Sequence, residues 1–332
     1  MVASPAIMLC HRGVGGDDQI YWSIGVQDQN NYVTWPQRQS LGWRSVSGVS
    51  VATLGNVVFC AFIDPDRILR CVRFSKENGT YSWSAPETIG SNMSDRTPHL
   101  MNINGQIWCI HRGNDDPHMY YTKRNASGRA QATWTNDVRI GTSDAVGTNC
   151  GPAAVIGSDA QLKIVYRDVN KARNGQIMAI STADGGGWSS EYGLAGSKAT
   201  GSTPCILWHN GVMIFAHTTD DGNHHIQTAA LEVGTDNYHH LKVTPNTYFE
   251  NDSGQTLDGP TLVTLNRRTG AGVDLYMIYR GIGNEGWLYF SKLDQRDPFR
   301  NSKWVDERKV GEGNEIHNDY YEVGADSFTY DP

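Results

Sequence analysis

The residues of this 332-residue chain best suited to chemistry recur as a short phrase. His11-Arg12-Gly13 precedes Asp17-Asp18, and His111-Arg112-Gly113 precedes Asp115-Asp116. Tyr166-Arg167-Asp168 and Tyr279-Arg280-Gly281 are looser copies, whereas Ala61-Phe62-Ile63 and Ala216-His217-Thr218 break the pattern. Arg donates a fork of hydrogen bonds, Asp accepts them, and an exposed aromatic ring stacks on C–H groups. Together these groups suit a ligand with rows of hydroxyls and one apolar face, as a sugar has. The same arginines and aspartates could instead pair with each other as ties between repeats, and both readings stay open here.

Other candidates are weaker. Trp43 falls outside the register of the remaining tryptophans and is expected in a binding-side loop, free to stack on a ligand. His224-His225 and His239-His240 are adjacent pairs, and neighbours in a strand point to opposite faces, so neither pair chelates a metal alone. No Cys-x-x-Cys or Cys/His metal spacing, phosphate loop, nucleophile elbow or dinucleotide fingerprint is present, so no cofactor is expected. The six cysteines are read as small buried hydrophobes, with a Cys60–Cys71 hairpin disulfide left open.

The elements that must carry these residues are strands. Six short apolar segments begin at residues 7, 57, 107, 162, 212 and 275, each β-branched or aromatic and apolar on both faces. Strands sandwiched between neighbouring sheets read this way. A second strand follows about thirteen residues after each start. Trp35, Trp83, Trp134, Trp188 and Trp304 then open a third, with the fifth repeat lacking its Trp, and core packing explains that recurrence best. A small Gly- or Pro-marked strand completes each unit and turns through pairs such as Asn104-Gly105 and Asn210-Gly211, a hairpin signal. Four antiparallel strands, six times over, predict a six-bladed β-propeller spanning residues 1–332 as one domain. The first repeat lacks its small strand, while Tyr320-Tyr321-Glu322-Val323-Gly324 is surplus at the other end. A C-terminal strand closing the ring is therefore expected, with no exposed edge left.

Composition excludes other classes. The net charge is −7 and no cationic run exceeds two residues, so nucleic acid is an unsuitable partner. No stretch is long and apolar enough to span a membrane. The N-terminus lacks a basic region and an apolar core of signal-peptide type, so the expected location is cytoplasmic, or secreted by a route without a Sec-type signal.

The phrase of apolar strand, His-Arg-Gly, acidic turn and Tyr-Trp strand resembles repeats of bacterial and fungal β-propeller proteins similar to sugar-binding propeller lectins. That resemblance implies glycans or glycoconjugates as partners and repeated shallow sites in the loops of one face. Two alternatives stand beside it: a protein-binding scaffold, and a sialidase-like glycoside hydrolase. For the hydrolase the candidate carboxylates are Asp258 and Glu322, and no pair at a fixed separation is legible.

Overall fold

Residues 3–331 of the computed structural model are described, apart from residues 14–16, 37, 126–132, 145, 170–174, 195–199, 201, 221–223, 234–240, 244–258, 282–286, 295–302 and 311–322. The strands form six antiparallel sheets arranged as a β-propeller. Four blades read in chain order from the axis outward, as in blade three: His99–Ile103, Gln106–Gly113, Asp116–Lys123 and Val138–Arg139. Blades one and two carry an extra outer segment each, Gln39–Arg44 and Glu87–Met93.

The double-sided apolar pattern of the second strands has a direct explanation. Ala6, Met8 and Cys10 face one neighbouring blade, while Ile7 and Leu9 face the other. Val58, Cys60 and Phe62 are separated from Phe59, Ala61 and Ile63 in the same way. Six apolar clusters result, one in each gap between adjacent blades. Trp35, Trp83, Trp134 and Trp188 lean on these clusters. Trp304 is fully buried and its Nε1 donates to Thr228 Oγ1 of the preceding blade at 3.1 Å.

Pairing register answers the cysteine question. Cys60 stands opposite Val72, and Cys71 opposite Ala61. The one-residue offset sends the two side chains to opposite faces of the sheet, and both thiols are free.

Ring closure occurs as expected, but later in the chain. The strand completing blade one is Gly324–Tyr330, paired from Cys10↔Gly324 to Ser4↔Tyr330. The aromatic Tyr320-Tyr321-Glu322 stretch lies outside the described residues. β-propensity drew the expectation toward the tyrosines, whereas crowding at the axis selects small residues. A Cβ on Gly324 would lie 2.8 Å from Ser50 Cα, Val49 O and Val51 N. Asp326 fastens the closing strand to blade two by accepting from Thr53 N at 2.8 Å and Thr53 Oγ1 at 2.9 Å. Desolvation raises the Asp326 pKa even so.

Gly324→Ala should therefore cost about 1–3 kcal/mol, the usual range for overpacking. Urea unfolding would show it as a lowered midpoint, while Gly187→Ala, with open space around its Cβ, should not lower it. Equal midpoints for the two variants would contradict crowding at the axis.

Candidate functional site

The recurrent phrase sits where each second strand ends and turns into the third. In blades one and three it folds into the same small module. His11 stacks on Tyr21 across the strand pair, with centroids 5.7 Å apart, and His111 stacks on Tyr120 at 5.8 Å. Each tyrosine then donates its hydroxyl to the acid four residues earlier: Tyr21 to Asp17 at 2.7 Å, and Tyr120 to Asp116 at 2.6 Å. The glycine of His-Arg-Gly is what lets the turn fold back, since a Cβ on Gly13 would lie 2.6 Å from Asp17 Oδ2. At Gly113 the same atom would meet Asp116 Cβ at 3.0 Å.

Both aspartates are stabilised by local donors. Gln19 N donates to Asp17 at 3.0 Å, and His118 N donates to Asp116 at 3.1 Å with His118 Nδ1 at 2.5 Å. Partial burial pushes the Asp116 carboxyl up, but the Tyr120 and His118 donors outweigh it and hold the group below its ordinary value. Tyr120 is pushed up to about 12, chiefly by donating to Asp116, with burial adding to it. Asp115 occupies the tip of the turn, exposed and at φ 55°.

The remaining members of the phrase are drawn inward. His11, His111, Tyr166 and Tyr279 are at most 1% exposed. Tyr166 donates to Glu191 and Tyr279 to Glu307, and burial, then Glu307, raises the Tyr279 pKa. Arg12 pairs with Asp18 of its own loop. Arg112 donates Nε to Thr148 O at 2.7 Å and also pairs with Asp95. Asp95 lies in the connection entering blade three and Thr148 in the one leaving it, so one guanidinium clamps both. Arg167 reaches Asp220 of blade five at 3.2 Å, and Arg280 is buried. For Arg112 and Arg167, then, the structure shows ties between repeats. Trp43 is 40% exposed but stands in the outer edge segment Gln39–Arg44, where a loop was expected.

Sequence reasoning missed the partners that fix these loops. His111 Nε2 lies 3.0 Å from Asp137 Oδ1, with both side chains at most 1% exposed. Asp137 Oδ2 accepts from Ser91 N at 2.8 Å and Ser91 Oγ at 3.1 Å. Gly90 beside it has φ 58°, and a Cβ there would collide with Asp137 Oδ1. Nothing in the local sequence marks residues 46 positions apart as partners.

Two concavities on this face are formed by described residues. A shallow groove of about 360 Å³ between blades two and three is lined by Ser91, Met93, Gly113, Asn114, Asp116 and Tyr120. At the axis the starts of the inner strands surround about 90 Å³, with Ser50, His99, Cys205 and Thr261 among the lining. Burial lowers the His99 pKa to about 4, against a bond to Ala154 O at 3.1 Å. Among the described residues lining the axial mouth there is no carboxylate. Asp258 and Glu322 lie outside the described residues.

No family model matches the sequence, and no curated protein matches it. Solved structures do match in shape. AofleA of Arthrobotrys oligospora is 9% identical, covers 98% of this chain and 89% of its own, and has a TM-score of 0.56. The Aleuria aurantia lectin, a fungal six-bladed propeller that recognises fucose, is 12% identical with coverages of 94% and 96% and a TM-score of 0.53. This chain shares their fold. A Dyadobacter fermentans protein of unknown function is equally similar, at 12% identity, coverages of 85% and 92%, and a TM-score of 0.53.

Two outcomes are expected from this geometry. Asp137→Ala should cost about 3–5 kcal/mol in urea unfolding, as removing one side of a buried charged cluster does; a loss under about 1 kcal/mol would show the cluster to be unimportant. Tyr120 should titrate near 12 and return toward 10 in Asp116→Asn, read by absorbance against Tyr120→Phe. Because folding raises this pKa, the stability it contributes is complete below pH 10 and fades as the pH climbs toward 12.

Proposed function

We propose that the protein binds carbohydrate in shallow grooves on the loop face of the ring and does not hydrolyse it. The observation that carries this reading is the groove between blades two and three. It sets the Asp116 carboxylate, the Tyr120 and Ser91 hydroxyls and the Asn114 amide around Met93, which is 44% exposed. Asp116 keeps acceptor capacity beyond its bonds to Tyr120 and His118, because a carboxylate offers about four lone-pair sites. Asn114 supplies a donor, and Met93 supplies soft apolar contact for a sugar's C–H face. Arg112, with Asp95 and Thr148, positions the loop and leaves ligand contact to the acid. The fold likeness to the Aleuria aurantia lectin, whose solved complexes include α-methyl-L-fucoside, supports a sugar as the ligand class.

The sites are multivalent in this reading. Blade one repeats the His11–Tyr21–Asp17 module and adds Arg38 4.4 Å over the Tyr21 ring, with the exposed Trp43 on the same outer segment. A single shallow site of millimolar affinity is worth only about 4 kcal/mol, and repetition on one face raises avidity by about 10²–10⁴ on a glycan-coated surface. Glycosidase chemistry needs a carboxylate pair at fixed separation, and the described lining of the axial mouth offers none.

A glycan array followed by calorimetry tests this. Methyl α-L-fucoside or the best array ligand should bind with a stoichiometry above one. Changing Asp17 and Asp116 together to Asn should lower that number by about two, with the fold retained. Aryl glycosides should release no chromophore. An array with no retained glycan, or turnover of an aryl glycoside, would sink the proposal.

A further inference from the structure

The opposite face of the ring holds a differently built cavity. It lies in the gap between blades six and one, beside the turns of those blades, and encloses about 140 Å³. A single water needs only roughly 10–15 Å³, so the space takes a small molecule. Its floor is apolar: Val33, Tyr276 and Phe290 are each at most 6% exposed. The rim is polar and open. Tyr32 is 47% exposed, and the Arg308 guanidinium lies 4.9 Å over its ring centroid. Asn30 and Asp306 complete the rim, Asp306 being held at φ 56°.

Charge and unmet bonding say what fits. Lys292 on the wall is bound to the buried Asp274 at 2.8 Å, and Arg267 reaches the same carboxylate at 2.9 Å. Around the cavity three cations, Arg267, Lys292 and Arg308, face three anions, Asp28, Asp274 and Asp306, and Asp274 takes up two of the cations. No described carboxylate lies within ion-pair distance of Arg308. An open guanidinium fork matches a carboxylate in bidentate geometry. Asp306 and the Asn30 amide accept and donate to hydroxyls, while Asp306 repels a second acid on the same ligand.

The rim is also rigid before any ligand arrives. Asp28 accepts from Asn30 N at 2.8 Å and Tyr32 N at 2.9 Å, fixing the turn. Asn31 is locked to Thr269 of blade six by reciprocal bonds of 2.9 Å and 3.0 Å. Ligand binding therefore does not have to order this turn, which lowers its entropic cost.

We propose that the cavity between blades six and one is a binding site for a small carboxylate-bearing sugar of the hexuronate class, with Arg308 holding the carboxylate and Tyr32 one edge of the ring. This site shares no residue with the loop-face grooves and does not depend on them.

Calorimetry with sodium glucuronate, using methyl α-D-glucopyranoside as the neutral counterpart, tests the assignment. Glucuronate should bind one to one, at least about tenfold tighter than the glucoside, and more weakly at 0.3 M salt because the pairing is partly exposed, the Debye length there being only about 6 Å. Arg308→Gln should lower glucuronate affinity by about tenfold or more, and Asp116→Asn should leave it unchanged. Asn30→Ala, on an exposed turn, gives a second reading: weakened glucuronate binding supports the site, full retention overturns it. Equal affinity for glucuronate and glucoside, or an unaltered Arg308→Gln, also overturns it. Weakened array binding when Asp17 and Asp116 are both changed to Asn, with glucuronate binding intact, separates this site from the loop-face grooves.

Discussion

Every blade is a sheet with two apolar faces, and neither face can be left to water. A central strand such as Ser4–Arg12 sends alternate side chains into two different gaps. Each blade therefore requires a neighbour on both sides, and only a closed ring supplies that for all six. Burial of apolar surface is the dominant favourable contribution, and closure converts it from a local property into a global condition. The closing strand Gly324–Tyr330 is small and partly polar because it must fit against the backbone of blade two at the axis. Chain ends, core and axis are consequences of the same requirement.

That requirement also governs the loops. Packing blades brings their connecting segments together, and loop backbone at a gap needs partners of its own. Arg112 bonding to both Thr148 and Asp95, and Asp137 joining His111 to Ser91, supply such partners. At the tips and rims stand Asp116 and Asn114 beside Met93. Inward residues of the phrase hold the geometry, and outward ones are placed by it. A residue type that suits ligand binding in sequence is thus divided by burial into two roles.

The two faces of the ring differ in chemistry. The loop face presents acids and amides around shallow ground, whereas the gap between blades six and one presents a guanidinium on an aromatic ring above an apolar floor. The second arrangement depends on chain closure, since Asn31 and Thr269 are 238 residues apart and meet only because blade six packs against blade one.

Periodicity made the blades legible. Two-sided apolar strands, hairpin glycines, recurrent tryptophans and a missing first strand are local signals, and local signals determine how many sheets form and that the ring closes. The His-Arg-Gly and Asp phrase likewise marked loops of unusual composition before any geometry was known. Whether Arg112 would face a ligand or Asp95 was not decidable, because both offers are chemically equivalent in sequence and only blade packing sets the distance. The same holds for Trp43, whose outer-strand position follows from pairing between Gln39–Arg44 and Gln19–Gln27. The closing strand began later than its aromatic neighbours implied, because backbone contact with blade two at Gly324 outweighs β-propensity. Pattern along the chain determined the architecture; the contacts between distant blades, made by packing and invisible to local spacing, decided which side chains are buried as ties and which stand at the rims.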